Sequence, residues 1–99
     1  MARYDVYKNA DGDGYLLDIQ ANLLDGLNTR IVVPLLPRAH APQPAERLNP
    51  IFSIADEDVV MVTQFLSSVP HAFLGAPVTS LEIHHTAIVN ATDMLMQGF

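Results

Sequence analysis

The side chains that could do chemistry are few. His84 and His85 are adjacent, and neighbouring residues on a helix point about 100° apart, so the two are poorly set to grip one ion. Three and four positions beyond them lie Ala87, Ile88 and Val89, none a ligand, and only Glu82, three before His85, has a helpful spacing. We read the histidines as polar or partner-facing. Asp11-Gly12-Asp13-Gly14 has the flavour of a calcium loop but lacks its third acid and its distal glutamate, so a hairpin turn is expected there. Asp56, Glu57 and Asp58 pair carboxylates, which a solvated acidic turn explains. Ser53, Ser67, Ser68 and Ser80 carry no nucleophile-elbow signature, and there is no cysteine and no glycine-rich phosphate loop. The sequence implies no cofactor, no metal and no catalytic residue. Leu23-Leu24 on a loop would form a contact patch, and Met94-Leu95-Met96 suits either core or interface.

Charge narrows the partners. Eleven acids oppose five bases, for a net charge of −6. The last base is Arg47, and residues 48–99 hold Asp56, Glu57, Asp58, Glu82 and Asp93 with no lysine or arginine. Phosphate neutralisation dominates nucleic-acid affinity, so this chain alone is not expected to bind DNA or RNA. Its partners should be proteins with cationic or apolar surfaces. No apolar h-region follows Arg3, and no stretch approaches the roughly 18 apolar residues of a membrane span. The expected location is the cytoplasm.

The elements that must position these residues follow from period and punctuation. With 99 residues, 49% of them hydrophobic, one domain over 1–99 is expected. A core this small, without cysteine or metal staples, points to a homodimer. Its two-fold axis is expected near the strand carrying Asp18 and Ile19 and near the helix end at Leu95.

Residues 4–8 and 15–19 read as a hairpin joined by the Asp-Gly pairs. Residues 30–36 form the most hydrophobic strand, with Pro34 expected at a bulge or an edge. The segment 37–50 carries four prolines and the bases Arg38 and Arg47, and is read as a long excursion, functional or mobile. A second hairpin joins 51–54 to 59–63 through the acidic turn. Residues 67–70 are expected to turn the chain, and 72–75 to form a short strand. Thr79-Ser80-Leu81-Glu82 has the form of a capping box. From it a helix over about 81–96 is expected, with Leu81, Ile88, Ala91 and Leu95 as its apolar stripe and Gly98 as its stop. The fold class is mainly β, an antiparallel sheet with one C-terminal helix.

One family gathers these features. The opening Val-Tyr strand is followed by Asp18-Ile19-Gln20, Leu23-Leu24-Asp25 and Arg30-Ile31-Val32-Val33-Pro34-Leu35. Asp56-Glu57, Ser68-Val69-Pro70 and the closing Met94-Leu95-Met96-Gln97-Gly98-Phe99 come after. In that order and spacing the chain resembles the CcdB family of plasmid-maintenance toxins, over essentially its whole length.

The resemblance implies a cytoplasmic homodimer with an SH3-like barrel, a protein that is not an enzyme. It implies binding to the A subunit of DNA gyrase, trapping of the gyrase–DNA cleavage complex, neutralisation by a cognate CcdA-like antitoxin, and co-repression of the operon with that antitoxin. Gyrase contacts would fall on Leu23, Leu24, Asp93, Met96, Gln97, Gly98 and Phe99. The best-known members end in Trp-Gly-Ile where this sequence has Gln97-Gly98-Phe99. Arg38 and Arg47, isolated bases in an acidic chain, are expected to meet the antitoxin. Two other readings stay beside this one: a same-fold endoribonuclease toxin of the MazF and Kid type, and a non-toxic chromosomal homologue that retains only antitoxin binding. The missing basic patch weighs against the first.

Overall fold

The computed structural model describes residues 2–98. Seven strands run in chain order: β1 Asp5–Lys8, β2 Tyr15–Asp18, β3 Thr29–Pro37, β4 Ile51–Ile54, β5 Glu57–Met61, β6 Ser67–Pro70 and β7 Thr79–Ser80. One helix, α1 His85–Gln97, follows. The strands make one curled antiparallel sheet in the order β4-β5-β3-β2-β1-β7, with β6 also paired to β3. It is a half-barrel of the mainly β kind that the sequence implies.

The first hairpin pairs Val6 with Leu17 and Lys8 with Tyr15. Gly14 closes its loop at φ 81°, and a Cβ there would collide with the carbonyl oxygen of Leu35. Only glycine fits this close approach. In the second hairpin Ala55 and Asp56 both take positive φ, as a two-residue type I′ connection requires. The acidic turn is therefore tighter than expected, because Glu57 and Asp58 already belong to β5.

Apolar residues bury on both faces of β1, β2 and β3. Val6, Leu17, Val33 and Leu35 face the interior of the curl with Phe52, Val59 and Met61, and α1 closes it with Ile88 and Ala91. Tyr7, Leu16 and Val32 face the other way, under Leu74. Burial on both faces explains why 30–36 reads as a continuous apolar run instead of an alternating one.

Several expectations need correction. Pro34 lies not on an outer strand but inside β3, opposite Leu16. Its backbone faces the gap between the β6 pairing at residues 29–32 and the β5 pairing at 35–37. There its carbonyl accepts from the Val62 N–H at 3.0 Å, and no donor is needed from its nitrogen.

Residues 67–70 form strand β6, because Arg30 and Val32 of β3 have backbone groups on that side which Val69 and Ser67 satisfy. Pro70 sits on it opposite Thr29, with its nitrogen on the open edge. Residues 71–73 are a 3₁₀ turn where a strand was expected.

The capping box does not form. Thr79 and Ser80 pair with Val6 and Asp5 as β7, and the Ser80 hydroxyl accepts from the Glu82 N–H at 3.2 Å. A 3₁₀ turn over Glu82–His84 precedes α1, which starts four residues later than the sequence suggests. Its end is as expected: Gly98 is left-handed and donates to the Met94 carbonyl at 3.0 Å.

The proline-rich excursion is anchored. Asn49 is buried and donates to the Met61 carbonyl at 3.0 Å and to Gln64 Oε1 at 2.8 Å. The Thr63 hydroxyl donates to the Leu48 carbonyl at 2.5 Å. Among the described residues no helix is long and apolar enough to cross a membrane.

Candidate protein-binding surface

Between β2 and β3 the chain makes a 3₁₀ turn, Asn22–Leu24. No residue from 21 to 29 is buried. Leu23 is 93% exposed, Leu24 47% and Leu27 50%. Across from this turn stands the last part of α1, where Met96 is 68% exposed. A groove of about 380 Å³ separates them, lined by Leu24, Leu27, Ile19, Ile31, Leu66 and Met96 among others. Leu24 and Met96, far apart in sequence, thus share one apolar surface. Thr92 and the half-buried Arg3 complete its rim.

The remaining site residues read from the sequence sit at the helix end. Asp93 is half-buried on the turn below Met96, and Gln97 and Gly98 are exposed. Phe99 lies outside the described residues. Met94 and Leu95 are half-buried, so only Met96 of that trio is mostly exposed. Arg38 and Arg47 are exposed in the proline-rich excursion, Arg47 at φ 67°, and neither lines the groove. Beside Arg38, His40 contacts Asp13 at 2.8 Å.

Sequence reasoning missed what lies behind the turn. Arg30 and Asp18 are fully buried and in contact, Nη2 to Oδ2, at 2.7 Å. Arg30 Nε donates to Asp18 Oδ2 at 2.9 Å, and Nη1 to Asp25 Oδ1 at 3.2 Å. Burial pushes the Asp18 carboxyl above its usual range, against the Gln20 N–H and the Arg30 guanidinium, which pull it down. The Asp18 side chain is thus buried within its own chain. Charged residues flanked by apolar neighbours on both strands were the available signal, Asp18 after Leu16-Leu17 and Arg30 before Ile31-Val32-Val33. Arg3 gave none. Its backbone N–H donates to Asn22 Oδ1 at 2.8 Å, and its guanidinium lies 4.8 Å from the Tyr4 ring centre.

The histidines are exposed, as expected of polar residues. The Tyr4 hydroxyl and His85 Nδ1 are hydrogen-bonded, and the His84 ring lies 4.8 Å from that of Phe52. Among the described residues no group of three or more His, Asp or Glu side chains could hold a metal ion. A second cavity, of about 470 Å³, lies where Ser53 and Ile54 of β4 come near Thr79 and Ser80 of β7, with Lys8 and Tyr15 between.

An apolar groove built from a loop and a helix end, on a curled sheet, is the arrangement of a protein-binding module. The family model described as CcdB protein matches residues 3–98. The chain belongs to the CcdB family. That membership points to a toxin of the toxin–antitoxin kind, with an antitoxin and gyrase as the partners the family has in general.

Proposed function

We propose that this CcdB-family chain binds the A subunit of DNA gyrase and traps the gyrase–DNA cleavage complex, acting by binding and not by catalysis. The observation that carries this reading is the shared groove of Leu24 and Met96. Leu23 adjoins Leu24 in the turn, Asp93, Gln97 and Gly98 lie at the end of α1 beside Met96 in sequence, and Phe99 follows. Exposed leucine and methionine side chains around a groove offer apolar area to a partner, and methionine adapts to irregular surfaces. Arg30 is removed from the surface by burial, so Arg3, Lys8, Arg38 and Arg47 are the bases left near solvent. So few dispersed cations favour a protein partner over nucleic acid as substrate.

The working unit in this reading is a cytoplasmic homodimer. A cognate antitoxin neutralises it, engaging Arg38 and Arg47, and the pair co-represses their operon. The test is a cleavage assay with purified gyrase and supercoiled plasmid. Linear DNA should accumulate, after detergent and protease, in proportion to added toxin, and a gyrase A subunit resistant to this toxin class should abolish it. Absence of linear DNA with the sensitive enzyme overturns the reading.

A further inference from the structure

The turn Asn22–Leu24 presents Leu23 and Leu24 but contributes no buried side chain of its own. Apolar packing therefore holds it only in part, through the half-covered Leu24. What reaches it from the core is a set of polar bonds. Gln20 is buried and uses both ends of its amide: Oε1 accepts from the Ile31 N–H at 3.1 Å, and Nε2 donates to the Leu24 carbonyl at 3.0 Å. Its own N–H donates to Asp18 Oδ1 at 3.0 Å. The other oxygen of Asp18 holds Arg30, and Arg30 reaches out to Asp25, the residue that ends the turn.

We propose that Gln20 and Arg30, aligned by the buried carboxylate of Asp18, are positioning residues that set the conformation of the leucine-bearing turn from within the sheet. This rests on the reading of Leu23 and Leu24 as partner contacts. The geometry suits the task. The Leu24 carbonyl and the Asp25 carboxylate are gripped from two directions by planar groups that are themselves immobilised. Arg30 is fixed by a buried ion pair, and Gln20 by the β3 backbone. A partner then meets a preformed pair of leucines and spares the cost of ordering the loop.

The experiment measures two quantities on the full-length chain: amide hydrogen exchange, and affinity for the isolated gyrase A subunit. The amides to follow are those of Leu24, Asp25 and Leu27, which donate to Ala21, Asn22 and Leu24. Asp25→Ala removes the outer contact at a half-exposed site, where unfolding is not expected. Asp25→Asn keeps an acceptor for Arg30. Gln20→Glu keeps the acceptor for Ile31 and loses the donor to Leu24.

Asp25→Ala and Gln20→Glu should speed exchange of the three turn amides about tenfold, while amides of β3 and β5 change less than twofold. Both should weaken gyrase binding about tenfold, and Asp25→Asn should restore both properties. Turn amides that exchange as in the parent, or a uniform rise across the sheet, overturn the positioning role. Faster turn exchange with unchanged affinity supports the positioning role and overturns instead the assignment of the leucines as gyrase contacts.

Discussion

Arg30 and Asp18 meet across β2 and β3 at 2.7 Å with neither side chain reaching solvent. Such a pair is costly to desolvate, and the upward displacement of the Asp18 carboxyl reflects that cost. Removing Asp18 leaves the buried Arg30 with only its longer contact to the half-exposed Asp25. Asp18→Ala should therefore cost about 3–5 kcal/mol in denaturant melts, whereas Asp18→Leu combined with Arg30→Met should recover most of that loss. Equal destabilisation by the single and double variants would contradict this account.

Tyr7 presents a second buried polar group. Its hydroxyl has no hydrogen-bond partner among the described residues, and burial pushes its pKa up to about 12. Tyr7→Phe should leave stability unchanged or raise it by about 1 kcal/mol. In the parent, the unfolded chain loses the Tyr7 proton near the ordinary value of 10, before the folded chain does. Stability should consequently fall from pH 10 towards 12, and Tyr7→Phe should flatten that part of the profile. Thermal melts across this range, with tyrosinate absorbance, measure both effects.

Gly14 should be irreplaceable for a local reason. Its positive φ and the approach of the Leu35 carbonyl leave no room for a side chain. Gly14→Ala should cost about 2 kcal/mol or more. Gly26→Ala is the control, because nothing lies within 4 Å of a Cβ there, and it should stay within about 0.5 kcal/mol. Chemical denaturation of the two variants makes the comparison.

At the helix end, Gln97 stands where the best-known members of the family carry a tryptophan. An indole at this exposed position can stack on a guanidinium of the partner. Gln97→Trp should strengthen gyrase binding roughly tenfold, the factor that about 1.4 kcal/mol supplies. Met96→Asp should weaken it by at least as much, by placing a charge in the apolar groove. Titration calorimetry on the two variants tests the pair, and no change from either would remove this surface from the proposed interface.

Arg38 and Arg47 make a separate expectation for the antitoxin. Replacing both by alanine should lower antitoxin affinity at low salt, and the difference should shrink as salt is added. An unchanged affinity at low ionic strength would show the two bases to be solvated bystanders.

Local chemistry made the two hairpins and the helix end legible before the fold was seen. Asp-Gly pairs and an acidic turn between apolar runs specify reversals within a few residues, and Gly98 ends a helix by its own backbone freedom. Family membership was legible too, because it resides in the order of short motifs along the chain. Tertiary pairing decided the rest. Thr79 and Ser80 could cap a helix or pair with Asp5 and Val6, and the open edge of β1 claimed them. Ser67–Pro70 looks like a turn until β3 offers it unpaired backbone groups. The groove joins Leu24 to Met96, and the network joins Gln20, Arg30 and Asp18 to the turn, across distances that no periodicity spans. A sequence displays the preferences of neighbours along the chain. Which buried donor meets which acceptor is settled only when distant strands come into register, because there an unpaired group is most costly.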